Sequence, residues 1–412
     1  MSTPLAIARR QAALGLAATV ATGGAALRVG AERKPADAPG GEVKQWLREP
    51  GDAPFAVPRD YVGLHSDHGL GGSTPSPTYP YDAVRSHDVS DTAGFPATQW
   101  ARIEQAPGRF DWRAVDDWIA AHPGKTRIWV LFGCPLFYQK YPGEPWRYPY
   151  LPGGGSPPRD PRVAAAFVTA LLARHPGKIA FVEIWNEPNF GWKGHDPSRD
   201  RWTPTMEKPG FFTGTASDLA GLARAIKAVL PAGVKLMAGA FEGQGTSASK
   251  LNSLLRFSAA PDGAGGIGRD HVDVLSVHCY TYKNDPNRLI DELKGYDARF
   301  REAGYAPTLP RYVTECGAEA PQFWTAATPP LGDKLKNIKR WCMIPAAFGY
   351  SGVYLYKHSI LRTLGDPAKV PEIGRAIGSM RAGLKGKRIM SAALMADDSV
   401  RLTFDDGSQL QA

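Results

Sequence analysis

Eight apolar, β-branched runs alternate with amphipathic stretches along this chain, and the alternation predicts a (β/α)8 barrel with a small β appendage. The runs recur between Tyr61 and Tyr356, and the intervals between them carry apolar residues at helical spacing. Two of the runs end in a glutamate, at the position where barrels of this kind carry their reactive groups. A length of 412 residues accommodates one such barrel with its appendage.

The predicted barrel strands are short and bounded by polar or Gly/Pro-containing segments, as buried parallel strands usually are. They are Tyr61–His65, Ala83–His87, Arg127–Phe132, Ile179–Trp185, Lys235–Gly239, Val272–His278, Arg311–Thr314 and Gly352–Tyr356. Helices are predicted between and after them at Trp112–His122, Arg162–Arg174, Ser217–Leu230, Asn287–Gly304, Lys334–Phe348 and from Pro371 to Leu384. Long loops at 135–161 and 190–212 follow the third and fourth strands, and loops of this length are usually functional or disordered.

The sequence divides into four predicted segments: 1–38 as an export signal and the start of a linker, 39–60 as linker and peripheral strand, 61–384 as the barrel, and 385–412 as a β appendage. In the last segment, Arg388–Met395 and Ser399–Phe404 are predicted to be antiparallel strands, with a turn at 405–407. We expect them to form one small sheet with the segment at 42–57.

The N-terminus predicts export to the periplasm or the medium. Arg9 and Arg10 precede an uncharged Ala/Gly/Leu stretch that Arg28 ends, which resembles a twin-arginine signal. An ordinary secretory signal and an uncleaved anchor stay open as alternatives. The stretch is short for a membrane span, which needs about 20 apolar residues, so no integral membrane span is expected.

The charge of the chain predicts no nucleic-acid partner. The net charge is +9, and residues 1–38 contribute five basic against two acidic side chains. The rest is spread out, without the Lys/Arg block typical of nucleic-acid binding. The four cysteines (Cys134, Cys279, Cys316 and Cys342) show no Cys-x-x-Cys spacing, so no zinc site of that type is predicted and free buried thiols are expected.

Two strings indicate the chemistry. Glu183–Asn189 (EIWNEPN) and Tyr312–Gly317 (YVTECG) each place a glutamate just after an apolar run. Two carboxyl groups facing one pocket are the minimum equipment for cleaving a glycosidic bond. The sequence therefore predicts a glycosidase with Glu187 and Glu315 as its catalytic pair.

These strings, together with Pro107–Trp112 (PGRFDW), resemble glycoside hydrolase clan A and, within it, family 39. The resemblance covers roughly residues 61–384. It implies a retaining hydrolase that acts on an oligo- or polysaccharide through a covalent glycosyl-enzyme intermediate, with no metal and no organic cofactor. One departure is Ala180–Val182 (AFV), where the family commonly has Trp-x-Phe.

Carried over residue by residue, the resemblance implies that Glu187 is the acid/base and Glu315 the nucleophile. It implies that Asn186 binds the sugar 2-hydroxyl, and that Arg85 lies beside Glu315 and keeps it ionised. Glu183, on the same strand face as Glu187 but deeper, is interpreted as a buried structural carboxylate.

The remaining predicted substrate contacts are less constrained. His278 and Tyr280 resemble the clan's His-x-Tyr pair, whose tyrosine orients the nucleophile. Tyr356 stands on the eighth strand, where the clan often has a tryptophan that stacks on the substrate. His65 and Trp192 complete the set of predicted substrate-binding residues, with a structural role for His65 and loop packing for Trp192 left open as alternatives. His87 and Asp88 stay open between a sugar contact and a structural role.

Two rival functions stay open. A transglycosylase would use the same site and pass the glycosyl group to another sugar. An exported sugar-binding protein with an inactive site belongs to a different class, and the intact pair of glutamates argues against it. The sugar, the linkage, endo or exo action and the oligomeric state are not specified by the sequence.

Overall fold

The computed structural model describes residues 41–65, 80–87, 97–143, 154–188, 211–243, 248–281, 285–318, 330–356 and 371–412. Within them, eight parallel strands close into a barrel, and five strands form a separate antiparallel sheet. The fold class predicted from the sequence is therefore confirmed. The division at residues 38 and 60 stays a prediction, and residues 1–40 lie outside the described part.

The strands, in chain order, belong to the barrel, the appended sheet and one hairpin. They are β1 Val43–Arg48, β2 Phe55–Ala56, β3 Val62–His65, β4 Ala83–Arg85, β5 Glu104–Ala106, β6 Arg109–Phe110, β7 Thr126–Leu131, β8 Phe181–Ile184, β9 Lys235–Gly243, β10 Val274–Thr281, β11 Arg311–Ala318, β12 Gly352–Tyr356, β13 Arg388–Met395, β14 Val400–Phe404 and β15 Gln409–Gln411. The barrel closes in the order β3-β4-β7-β8-β9-β10-β11-β12, with β12 paired to β3.

The helices fall largely between the barrel strands, as a (β/α)8 fold requires. They are α1 Trp100–Ile103, α2 Arg113–Ala121, α3 Pro161–Arg174, α4 Ala216–Lys227, α5 Ala248–Ala259, α6 Pro286–Glu302, α7 Leu331–Ala347 and α8 Pro371–Leu384. Short 3₁₀ turns lie at Leu136–Tyr138 and Gly268–His271. Among these helices, none has both the length and the apolar character that crossing a bilayer requires.

All eight predicted strands and all six predicted helices are present. The sequence analysis missed α1, α5 and the β5–β6 hairpin; α1 and the two hairpin strands are only two to four residues long, too short to show a periodicity. The strands β9, β10 and β11 continue past their predicted ends because each still pairs with a neighbour there. The four cysteines are free and buried, as expected.

The barrel interior is close-packed, so it forms a floor beneath the strand ends. The buried ring of Tyr354 lies against β3, where a Cβ added to Gly63 would come within 2.5 Å of its Cδ1 atom. The four residues of β3 are all buried, as are all but the last of β12. This follows from covering both faces of a parallel sheet, which leaves only the strand ends to reach solvent.

The appended sheet has β13 at its centre, paired antiparallel with β1, β2 and β14, while β15 pairs with β14. The predicted sheet between the C-terminal strands and the segment at 42–57 is therefore present. The last strand, β15, was not predicted, because three residues after a turn carry almost no pattern of their own.

Candidate active site

The turn after β8 carries Glu187 in an unusual backbone conformation. Trp185 and Glu187 have φ angles of 67° and 44°, in the left-handed region that costs an L-residue free energy and is often found at functional sites. Trp185 is held at both ends: its backbone N–H donates to Leu131 at 2.7 Å and its indole N–H donates to Phe211 O at 2.7 Å. This anchoring fixes the turn that presents Glu187.

The neighbouring strand packs closely under the same turn. A Cβ added to Gly239 of β9 would lie 2.5 Å from the carbonyl oxygen of Ile184 and 3.2 Å from Cγ of Pro188. Only a residue without a side chain fits there, since the obstructing atom at 2.5 Å is backbone. The packing of β8 on β9 therefore supports the position of Glu187.

Glu315 reaches the site through an irregularity in β11. Val313 is opposite Val277 of β10, but Glu315 is already opposite His278, so Thr314 is an extra residue. An inserted residue of this kind is a β-bulge, which redirects the following side chains. As a result, Thr314 donates to Glu183 Oε1 at 3.0 Å while the adjacent Glu315 also contacts the carboxylate network at the barrel mouth.

Arg85 is fully buried and donates hydrogen bonds to three side chains of the site. Its Nε donates to Glu183 Oε2 at 2.6 Å, its Nη1 to Glu315 Oε1 at 2.6 Å and its Nη2 to Asn186 Oδ1 at 2.8 Å. Burial alone would lower the pKa of Arg85, but the charges of Glu183 and Glu315 raise it above its ordinary value. Arg85 is therefore a permanent cation that orders both carboxylates.

The second oxygen of Glu315 lies on the side of β10. The half-buried Tyr280 donates its hydroxyl to Glu315 Oε2. Burial first, and then the charge of Glu315, raise the pKa of Tyr280 well above its ordinary value, so the phenol stays protonated and remains a donor.

His278 lies between the two glutamates. Its Nδ1 is 2.9 Å from Glu187 Oε1 and 3.4 Å from Glu315 Oε2, and the ring is fully buried. Burial lowers the pKa of His278 to about 4, so the imidazole is neutral at ordinary pH. Because both neighbours are carboxylate oxygens, the tautomer with its proton on Nδ1 can donate to them.

Two further histidines flank the opposite side of Glu315. His65 Nε2 lies 3.4 Å from Glu315 Oε1, and 3.3 Å from Nδ1 of His87. The ring of Tyr356 meets that of His65 edge-on at 4.6 Å between centroids. His65 and Tyr356 were predicted site residues, and for both His65 and His87 the sequence left a sugar contact and a structural role open.

The two predicted catalytic carboxyl groups are close together. One carboxylate oxygen of Glu187 lies within 4.8 Å of one of Glu315. Glu187 is 9% exposed and Glu315 is 4% exposed, so both sit at the inner end of the barrel mouth. Carboxyl groups about 5–5.5 Å apart characterise retaining glycosidases, whereas inverting enzymes separate them by about 6.5–9.5 Å.

The structure brings together eight of the nine predicted site residues: Glu187, Glu315, Asn186, His278, Tyr280, Arg85, His65 and Tyr356. Trp192 lies outside the described residues, as does Asp88. Glu183 is fully buried and bonded to Arg85, in agreement with its interpretation as a structural carboxylate. The contact of Thr314 was missed, because the bulge that turns it inward leaves no mark in the residue types.

The burial of His278 makes the stability of the fold depend on pH. The imidazole titrates near 6.5 in the unfolded chain but near 4 in the folded chain. Protons therefore favour the unfolded chain as the pH falls from 6.5 to 4, which lowers the free energy of unfolding by up to roughly 3 kcal/mol. His278→Asn, which cannot titrate there, is expected to lose this component in urea titrations at stepwise pH. Equal pH slopes for both proteins would contradict the prediction.

Comparison with known proteins identifies solved structures of similar fold. No protein-family model matches the chain, and no curated protein matches it either. Among solved structures, the chain is similar to a family 39 glycoside hydrolase from the gut symbiont Bacteroides cellulosilyticus WH2, with a TM-score of 0.57 and 17% identity over 86% of this chain and 69% of that one.

Two other solved structures align over most of the chain. They are SrfJ from Salmonella typhimurium, with a TM-score of 0.49 and 12% identity over 89% of this chain and 87% of that one, and a GH30 endoxylanase from Clostridium papyrosolvens C71, with a TM-score of 0.47 and 12% identity over 87% and 83%. The structure with the TM-score of 0.57 shows that the chain shares the barrel fold of a family 39 enzyme, as its motifs predicted. A shared fold does not define an activity, which depends on the side chains at the strand ends.

Proposed function

We propose that the chain is a retaining glycoside hydrolase that cleaves an O-glycosidic bond of an oligo- or polysaccharide. The observation that carries the proposal is the pair Glu187 and Glu315, with oxygens within 4.8 Å of one another at the barrel mouth. That separation is shorter than the distance of about 6.5–9.5 Å at which inverting enzymes leave space for a water between the two carboxyl groups.

Glu315 suits the role of nucleophile because both of its oxygens are engaged. Arg85 donates to Oε1 at 2.6 Å and Tyr280 donates to Oε2. A cation and a neutral donor therefore each bind one oxygen of the carboxylate. They also hold it in one orientation, which reduces the entropy lost when it attacks the anomeric carbon.

Glu187 suits the role of acid and base. It is the more exposed of the two, and it faces the neutral imidazole of His278 at 2.9 Å. In the first step its proton passes to the leaving oxygen while Glu315 forms an ester with the anomeric carbon. In the second, Glu187 takes a proton from water, and the resulting hydroxyl displaces Glu315 from that carbon.

Asn186 suits the binding of a sugar hydroxyl. Its Oδ1 accepts from Arg85 at 2.8 Å, and this assigns the orientation of the amide, with its NH₂ group left to donate to substrate. A hydrogen bond to the 2-hydroxyl strengthens as the transition state develops and supplies part of the catalysis.

Export is part of the same proposal. Arg9 and Arg10 before an uncharged segment support a twin-arginine signal. Four free, buried cysteines are compatible with a chain that folds before it is exported, since no disulfide has to form afterwards.

The proposal predicts a product with retained anomeric configuration. Two inversions at the same carbon, one by Glu315 and one by water, restore the starting configuration. We would incubate the chain with a panel of aryl glycosides and bacterial exopolysaccharides, and record proton NMR spectra before mutarotation. A first-formed product of inverted configuration would contradict the role of Glu315. Spectra with an added sugar acceptor separate hydrolysis from transfer, and Glu187→Gln with Glu315→Gln serves as the inactive control.

A further inference from the structure

Three donor atoms converge on one side of Glu315, away from His278. His65 Nε2 and His87 Nδ1 lie 3.3 Å apart, and Glu315 Oε1 lies 3.4 Å from the first and 3.8 Å from the second. All three side chains are buried, with 0%, 3% and 6% of their side-chain surface exposed. Two imidazoles and one carboxylate form a ligand set that is common for transition metals.

These distances match the edges of a metal coordination polyhedron. Donors bound to zinc at about 2.0–2.1 Å in a tetrahedron lie roughly 3.3–3.4 Å from one another. Two of the three observed separations have this value, and the third is wider by only about 0.4 Å. We propose that His65, His87 and Glu315 form a transition-metal site, suited to Zn²⁺, that occupies the nucleophile and inhibits the enzyme.

The local charge permits a cation there. Arg85 opposes it, because its Nη1 donates to the same oxygen at 2.6 Å. A carboxylate oxygen has two lone pairs, however, and can serve a donor and a metal together. The buried carboxylates of Glu183 and Glu315 outnumber the guanidinium of Arg85, which bonds to both.

The ligand chemistry selects the kind of metal. Imidazole nitrogens favour Zn²⁺, Cu²⁺ and Ni²⁺, whereas Mg²⁺ and Ca²⁺ prefer sites made entirely of oxygen. One histidine donates to the other, and it must shift that proton to its second ring nitrogen before both can bind a metal.

Cobalt titration tests the site without any substrate. The full chain, free of a polyhistidine tag, is titrated with Co²⁺ and its visible absorption is recorded, since four-coordinate Co²⁺ absorbs much more strongly than the hydrated ion. We expect one equivalent to give this spectrum and excess Zn²⁺ to abolish it. A spectrum unchanged from that of hydrated Co²⁺ would overturn the proposal.

Matched variants locate the binding. His65→Gln and His87→Asn each remove one nitrogen ligand and are expected to weaken Co²⁺ binding by at least about 100-fold, more than the loss of an outer-shell partner usually costs. His175→Gln removes a histidine at the end of α3, beside Asp116, and should leave binding unchanged. Each ligand variant decides the question separately, so one that fails to fold, as judged by circular dichroism, leaves the other.

A competing cluster supplies the decisive comparison. Glu187, His278 and Glu315 also bring one donor atom each within 4.8 Å of one another. Loss of Co²⁺ binding in His278→Asn, with binding retained in the His65 and His87 variants, would overturn the assignment.

The inhibitory effect rests on the proposed function, and it is measured separately. With an active glycoside, Zn²⁺ is expected to inhibit competitively with substrate, and Mg²⁺ at the same concentration is expected to have no effect. Binding of Co²⁺ by a chain that hydrolyses no glycoside would leave the metal site standing and reject the hydrolase. Hydrolysis that Zn²⁺ does not affect would support the hydrolase and reject the inhibitory metal site.

Discussion

Glu315→Ala is expected to abolish turnover, with kcat/KM falling by roughly 10⁴–10⁶-fold, the range seen when a nucleophile or its proton-transfer partner is removed. Without the carboxylate no ester can form at the anomeric carbon, and the side chains around it cannot take its place. Arg85 is a cation, and burial raises the pKa of Tyr280 well above its ordinary value, so neither of these neighbours is available as an anionic nucleophile.

Glu187→Ala is expected to show a different dependence on substrate. An acid catalyst matters most when the departing oxygen is basic, so natural glycosides should lose several orders of magnitude in rate. Aryl glycosides whose leaving group needs little protonation should react to form the ester at nearly the original rate. Added azide, a small anion that needs no general base, should then release a glycosyl azide of retained configuration from Glu187→Ala and of inverted configuration from Glu315→Ala.

The controls separate loss of chemistry from loss of fold. Glu302→Ala removes a glutamate of α6 whose side chain is 52% exposed, and it should leave kcat/KM unchanged. Circular dichroism and the thermal midpoint of each variant show whether the barrel is intact. Turnover by a folded Glu315→Ala at the original rate would exclude the double-displacement mechanism.

The barrel was predictable because its signal is local. In a sequence, strands buried on both faces appear as apolar runs. The helices between them appear as stretches with apolar residues three and four positions apart. The eight runs appear as the eight strands of one closed barrel, with Glu187 just beyond β8 and Glu315 within β11. From the number of strands and the positions of the two glutamates, it could be predicted that the pair lies at the same end of the barrel.

The arrangement around the pair was only partly predictable, because it depends on contacts between distant segments. Arg85 was expected beside Glu315, and it lies there, but its additional bonds to Glu183 and Asn186 join residues about a hundred positions apart. The bulge at Thr314 depends on how β11 pairs with β10, which residue types do not record.

The eighth strand shows how a departure from a familiar pattern is accommodated. Tyr356 stands where the clan often has a tryptophan, and its ring lies edge-on against His65 and 6.1 Å from the ring of Tyr280. It therefore packs with two other predicted site residues. The sequence could place Tyr356 at the strand end, but its contact with His65 follows from the closure of β12 on β3.

Arg85→Met is expected to destabilise the fold more than any other single substitution considered for this site. Removing one partner from a buried ion pair leaves an uncompensated charge and typically costs about 3–5 kcal/mol. Here a single arginine serves two buried carboxylates, Glu183 at 2.6 Å and Glu315 at 2.6 Å. We expect the free energy of unfolding, measured with urea at neutral pH, to fall by that amount or more. Turnover should be lost as well.

Arg85→Lys should recover only part of this loss. A single ammonium group cannot reproduce the three divergent N–H bonds that reach Glu183, Glu315 and Asn186 from one planar group. The surface variant Arg162→Met is the matched control, because Arg162 pairs with Asp160 while 86% of its side chain is exposed, and no measurable change in its urea midpoint is expected.

A second substitution identifies the origin of the destabilisation. If buried unpaired charge is the cause, Arg85→Met combined with Glu183→Gln should be more stable than Arg85→Met alone, because one of the two stranded carboxylates is gone. The double variant should nevertheless stay inactive, since Glu315 still lacks the cation that holds it. A double variant no more stable than the single one would mean that Arg85 acts by filling space in the barrel, and turnover by the double variant would show that Glu315 needs no such partner.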